Sequence, residues 1–147
     1  SDPERSSEFY QQALGLEAVN QLPGAVFLAS PLSATDHDLG LFQADGPQPA
    51  QRSVGLYHIA WEVETLTDLV EAKERLTQMG ALVGENNHGM SRSLYCQDPD
   101  GIEFEVMWEV PVELYDSEEP ANIPLDLEAD MERFGADSPG RGGRVSS

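Results

Sequence analysis

The chain has 147 residues, enough to bury a real core and too few for two ordinary domains. Eight Lys and Arg against 27 Asp and Glu give a net charge of −19, a field that repels phosphate backbones and anionic headgroups and so argues against nucleic-acid and membrane partners. The single cysteine, Cys96, rules out an intrachain disulfide and a zinc–thiolate cluster, and a reducing, cytoplasmic setting fits; no apolar run reaches a membrane span and no signal-peptide pattern is visible.

The first predicted element is a helix. Asp2 suits its N-cap, Pro3 its first position and Gly15 its end, with Phe9, Ala13 and Leu14 as an apolar stripe. Short extended segments follow in "EAVNQ", "GAVFLAS" and "HDLGLFQ". The polar, Pro-rich stretch 44–53 reads as a linker. It leads into a predicted strand over 54–63, with Leu56, His58 and Ala60 on one face and Tyr57, Ile59, Trp61 and Val63 on the other. A second helix is predicted from Thr67 or Asp68 to Met79, lined by Leu69, Ala72, Leu76 and Met79 and ended by Gly80. Then come "ALVG", a polar loop "ENNHGMSRS", a strand "LYCQ", and the turn Asp98-Pro99-Asp100-Gly101. The last strand alternates Ile102, Phe104, Val106 and Trp108 with Glu103, Glu105, Met107 and Glu109.

The two parts read α-β-β-β and β-α-β-β-β, an internal repeat. An offset of 65 residues carries Gly15 onto Gly80 and Gly40 onto Glu105, so the last strands align without a gap. The expected fold class is α+β: two tandem βαβββ units, the first over 1–43 and the second over 54–110, with the first strand of the first unit missing. Residues 111–147 change character to an acidic extension. In it "PLDLEADMERFG" is predicted as a short helix docking Leu125, Leu127, Met131 and Phe134, and the last ten or so residues are expected to be disordered.

Two motifs, "YHIAWEV" and "HGMSRSLYCQDPDGIEFEVMW", together with the repeat, resemble the vicinal oxygen chelate superfamily of glyoxalases, bleomycin-resistance proteins and type I extradiol dioxygenases. The resemblance covers residues 1–110. It implies an open barrel around a divalent metal, with His58 and Glu105 as metal ligands, while Glu103 and Glu109 stay near the rim. Glyoxalase-like members take a further ligand from the last strand of the other unit, where this chain has Gly40. That leans the resemblance toward an extradiol dioxygenase: Fe(II), or another divalent ion such as Mn(II), with dioxygen and a small catechol-type aromatic as substrates. "HDLGLF" is similar to the dioxygenase segment carrying an acid–base histidine, here His37, and "HGMSRSLY" to the one supplying His88 and Tyr95. A base near neutral pKa suits catechol deprotonation, and a tyrosine hydroxyl can hold the substrate oxygen that keeps negative charge.

Two other readings remain open: a metal-free binding protein for a drug or metabolite, which the acidic surface favours for a cationic ligand, and a metal-dependent glyoxalase, isomerase or epimerase. The repeat offset carries His58 to a position before Ser1, where the resemblance implies the family's other strand histidine as a third ligand; the chain is therefore expected to be a shortened form of a longer protein, and its two ligands to bind Fe(II) weakly or not at all. The missing strand would leave a sheet edge open to another chain, and a homo-oligomer is expected.

Overall fold

In a computed structural model of the chain, residues 2–46 and 55–142 are described. The expected linker over 47–53, the strand start at Val54 and the disorder expected over 143–147 lie outside the described residues. The elements run α1 (Pro3–Leu14), β1 (Glu17–Leu22), β2 (Ala25–Ala29), β3 (Leu39–Phe42), β4 (Ile59–Glu62), α2 (Leu66–Gln78), β5 (Leu82–Asn87), β6 (Ser91–Gln97), β7 (Glu103–Glu109), a 3-10 turn (Val112–Leu114) and α3 (Leu127–Phe134). The strands form one sheet in the order β1-β2-β3 and another in the order β4-β7-β6-β5. This is the α+β fold with the repeated unit read from the sequence, its first copy beginning at the helix.

The chain divides into two compact units, one running to Tyr57 and including Asp98–Ile102, the other made of His58–Gln97 and the chain from Glu103 onward. In the first, Asp2 Oδ1 accepts from the amides of Glu4 (3.0 Å) and Arg5 (3.2 Å), and Gly15 ends α1 at φ +68°. The expected stripe of Phe9, Ala13 and Leu14 is corrected: α1 buries Ser6, Ser7, Tyr10 and Ala13, while Phe9 and Leu14 are half-buried. Tyr10 turns inward because its ring is apolar and its hydroxyl finds a partner, donating to Asp98 Oδ2 at 3.0 Å. Burial, and then the Asp98 charge, raise the phenol's pKa well above its ordinary value. Asp98 Oδ1 also accepts from the amides of Asp100 (2.9 Å) and Ile102 (2.8 Å), which closes the Asp98–Gly101 turn. Ala25, Val26, Leu28 and Ala29 of β2 supply the core of this sheet, and β1 is exposed along its whole length.

In the second unit α2 begins earlier than Thr67. Thr65 and Asp68 form a reciprocal capping box, which brings Leu66 into the buried stripe with Leu69, Ala72 and Leu76. Phe104, Val106 and Trp108 of β7 share a buried face with Leu94 and Cys96 of β6, as their register requires. Burial pushes the Cys96 thiol up to about 12, so it behaves as a core residue. The predicted polar loop "ENNHGMSRS" is corrected to two paired strands joined by residues 88–90 only. Its polarity misleads because Asn87 and Arg92 satisfy each other inside the fold, Arg92 Nη1 donating to Asn87 Oδ1 at 2.9 Å. The predicted strand over 54–63 is also shorter: β4 pairs parallel to β7 from Ile59 only, and His58 stands just ahead of it.

The extension binds to this second unit. Asp126 caps α3, which buries Leu127 and Asp130 and lays Phe134 against Trp108 with ring centroids 5.5 Å apart, while Leu125 and Met131 are half-buried. The expected disorder does not hold through Gly142. Ala136 O accepts from Thr67 N (3.0 Å), Ser138 O from Trp108 Nε1 (3.2 Å), Glu64 O from Gly140 N (2.7 Å) and Glu109 O from Arg141 N (3.1 Å). Backbone groups dock this stretch, so its lack of apolar side chains is no obstacle. No helix among the described residues is long and apolar enough to cross a membrane.

Candidate functional site

The site rests on the alternation of β7. One face is apolar and buried in the core, and the other carries Glu103, Glu105, Met107 and Glu109. Across the antiparallel ladder Tyr95 stands opposite Glu105, and across the parallel ladder Ala60 does. His58, two residues before Ala60, therefore lies on the face of Glu105, diagonal to it. The glutamates separate by position: Glu105 is 7% exposed, and Glu103 and Glu109 are half-buried.

His58 Nε2 stands 3.1 Å from Glu105 Oε2. Two ligands at right angles, each about 2.1 Å from a divalent ion, stand about 3.0 Å apart, so the pair matches neighbouring positions of one coordination sphere. An imidazole nitrogen and a desolvated carboxylate also form a donor set that suits Fe(II) or Mn(II). Among the described residues, no group of three or more His, Cys, Asp or Glu side chains is placed to hold a metal ion. At Gly40, the repeat counterpart of Glu105, a Cβ would stand 3.1 Å from the ring of Phe42, so aromatic rings take the space a ligand would use.

Tyr95 and His88 meet next to this pair. His88 Nε2 and the Tyr95 hydroxyl are 2.7 Å apart, and the rings of Tyr95 and His58 are edge-on with centroids at 6.0 Å. His88 belongs to the short connection between β5 and β6, where its amide donates to Ser91 O at 2.9 Å. His58, Glu105, His88 and Tyr95, read separately from two motifs, thus form one contiguous group in the second unit.

His37 belongs to the first unit, in the loop before β3. Its ring is edge-on to Phe27 (5.1 Å), and Nδ1 is 3.1 Å from Asp36 Oδ2. The loop is held by Asp38, whose carboxylate accepts from Ser30 N (2.8 Å), Ser33 Oγ (2.8 Å) and Thr35 Oγ1 (2.9 Å). Those hydrogen bonds, the Ser30 amide first, hold the Asp38 carboxyl below the usual aspartate range.

Sequence reasoning missed Asn122 and Arg92, together with the partners that hold them. Asn122 Oδ1 stands 2.9 Å from His88 Nδ1 and accepts from Asn86 Nδ2 at 3.2 Å. Arg92, fully buried, donates through Nε to Asp130 Oδ2 (2.8 Å) and through Nη2 to Glu119 Oε1 (2.7 Å). These are long-range pairings between an extension and a strand, and no local spacing announces them.

The glyoxalase/bleomycin resistance protein/dioxygenase superfamily model matches residues 1–106. Catechol-2,3-dioxygenase of Bacillus subtilis (strain 168) is 26% identical over 141 residues, covering 90% of this chain and 48% of the relative. Biphenyl-2,3-diol 1,2-dioxygenase 3 of Rhodococcus globerulus is 32% identical over 99 residues, covering 65% of this chain and 51% of the relative. The chain thus spans about half the length of these curated relatives. The crystal structure of lactoylglutathione lyase from Agrobacterium tumefaciens superposes with a TM-score of 0.54 at 28% identity, covering 72% of this chain and 84% of that one.

Proposed function

Because the chain belongs to the glyoxalase/bleomycin resistance protein/dioxygenase superfamily, we propose that it carries the metal-holding unit of an extradiol dioxygenase acting on a catechol-type aromatic and dioxygen. The observation that supports this most is the grouping of His58, Glu105 and Tyr95 on one face of one sheet. Both curated relatives are named for dioxygenases acting on aromatic diols, which supports the same substrate class.

His58 and Glu105 would hold the ion. Fe(II), when bound, supplies a Lewis acid for two neighbouring substrate oxygens and a place for dioxygen. The work of this chain's own residues lies around it. Glu105 is almost fully removed from water, so a cation stabilises its carboxylate far more than it would at the surface. Tyr95 places a hydroxyl next to the ligand pair, where it would hydrogen-bond a phenolic oxygen of the substrate. His37, in the first unit, is carried as an acid–base candidate on its sequence motif, a role that suits an imidazole side chain.

The test is Fe(II) titration of protein prepared without oxygen, followed by oxygen uptake with a panel of catechols. Two protein ligands leave most coordination positions to water, so weak metal binding is expected, with ring-opened product when Fe(II) is supplied in excess. Divalent-metal binding with no turnover of any catechol would move the reading to a metal-dependent lyase or isomerase; the Agrobacterium structure is named as a lyase. Absence of metal binding would leave a metal-free binding protein.

A further inference from the structure

The ladders of the second unit fix which side chains stand beside the His58–Glu105 pair. Level with Glu105 on β4 is Ala60, and level with Met107 is Glu62, so the chain entering β4 shows this face His58, Ala60 and Glu62 in turn. Ala60 is exposed, although the Glu105 next to it is only 7% exposed. A methyl group thus borders the ligand pair where the neighbouring positions on β4 and β7 carry long side chains, and it leaves open space over the sheet. On the other side of Glu105 the ring of Tyr95 takes that space. Toward the start of β7 there is no gap either, because Glu103 comes level with His58 itself. A flat ring held by its oxygens at His58 and Glu105 therefore fits over Ala60 and points its far edge along β4.

One further step along that line, about 6.6 Å past Ala60, is Glu62. The Gly142 amide donates to Glu62 Oε1 at 2.8 Å and sets the carboxylate, and among the described residues no ion pair neutralises it. Glu109 lies diagonal to Glu62 across β7, on the same face, and also has no ion-pair partner among the described residues. Arg141, next to Gly142 in the chain, is exposed and pairs with neither. No Lys or Arg holds a strand position on this face; Arg92, the one arginine of the four strands, points into the core. Whatever a ring over Ala60 carries at its far edge meets negative charge with nothing to offset it.

We propose that the substrate is a catechol bearing a short cationic arm, a protonated amine, at the ring edge remote from its hydroxyls, with Ala60 seating the ring and Glu62 receiving the ammonium. This rests on the dioxygenase reading and names its substrate class. Ala60 acts by its size and Glu62 by its charge, so the two set which catechol is taken and not how the ring is opened. An arm ending in a carboxylate is disfavoured at the same place, through repulsion from Glu62 and Glu109. An alkyl amine keeps its proton at neutral pH, as a lysine side chain does.

The experiment measures binding, without turnover. Protein with excess Zn(II), an ion that is diamagnetic and does no redox chemistry, is titrated without oxygen with three catechols. Their arms, para to one hydroxyl, are aminoethyl, ethyl and carboxymethyl. Salt at about 0.15 M screens distant charges, and the backbone amide shifts of Ala60 and Glu62 report where the ring lies. The aminoethyl catechol should bind about three- to fivefold more tightly than the ethyl one, the worth of one exposed ion pair, and the carboxymethyl catechol most weakly. Glu62→Gln should cut the aminoethyl preference by about the same factor and leave the ethyl catechol's affinity unchanged. Ala60→Leu, on an exposed position of an edge strand, should weaken all three and leave zinc binding as in the parent. Equal affinities for the three arms, a preference that survives in Glu62→Gln, or parental affinities in Ala60→Leu would overturn the proposal. If the catechols shift the Ala60 amide and the arms make no difference, this inference alone falls. If zinc binds and no catechol shifts that amide, the dioxygenase reading falls and takes the inference with it.

Discussion

Replacing Arg92 by Met tests how the extension is held. The guanidinium makes five polar contacts: Nε to Asp130 Oδ2 (2.8 Å), Nη2 to Asp130 Oδ1 (2.8 Å) and Glu119 Oε1 (2.7 Å), and Nη1 to Asn87 Oδ1 and Gly89 O (both 2.9 Å). The arginine side chain is 0% exposed, and those of Glu119 and Asp130 are 9% and 8% exposed. Methionine replaces the apolar stem but removes the guanidinium, whose carbon lies 5.4 Å from the Phe134 ring centroid, and leaves the carboxylates uncompensated. Glu119 retains Arg133 at 2.9 Å, so the loss falls chiefly on Asp130. Breaking a buried pair by removing one partner costs about 3–5 kcal/mol, which in a chain of this size lowers Tm by about 6–20 °C. Urea unfolding of Arg92→Met should show that loss. In an Asp130→Asn background the same substitution should cost about 1–2 kcal/mol less, because no buried charge is stranded there. A cost for Arg92→Met below about 1 kcal/mol would refute the argument that this cluster anchors the extension.

Three further outcomes are expected. Glu105→Ala should weaken Mn(II) or Fe(II) binding by at least about tenfold in a titration, while Glu103→Ala leaves it nearly unchanged; equal losses would mean that the wrong glutamate has been assigned. Ending the chain after Gly135 removes the partners of Thr67, Trp108 Nε1 and the backbone at Glu64 and Glu109, and should destabilise the second unit by about 2–5 kcal/mol in urea unfolding; a fully stable truncated protein would show these contacts to be idle. Folding lowers the Asp38 carboxyl below its ordinary 3.8, so the stability it contributes is present above that pH and lost as pH falls through the folded value; acid unfolding of Asp38→Asn should lack this component, and identical acid limbs would remove Asp38 from the loop's support.

The sequence by itself determined the order of elements, the repeat and the face on which Glu105 lies. Those properties are local: caps at Asp2, left-handed glycines at Gly15 and Gly80, and a period of two along β7 are written into neighbouring residues. Only the tertiary structure decided the rest. It turned Tyr10 rather than Phe9 inward, because Asp98 is 88 residues away in the chain and no periodicity reveals a hydrogen-bond partner at that distance. It made strands of a stretch whose polarity read as a loop, since Asn87 and Arg92 are satisfied by each other and by the extension. It ordered the chain through Gly142 with backbone bonds, which composition does not record. And it set Asn122 against His88, 34 residues apart, a pairing that only a folded chain makes.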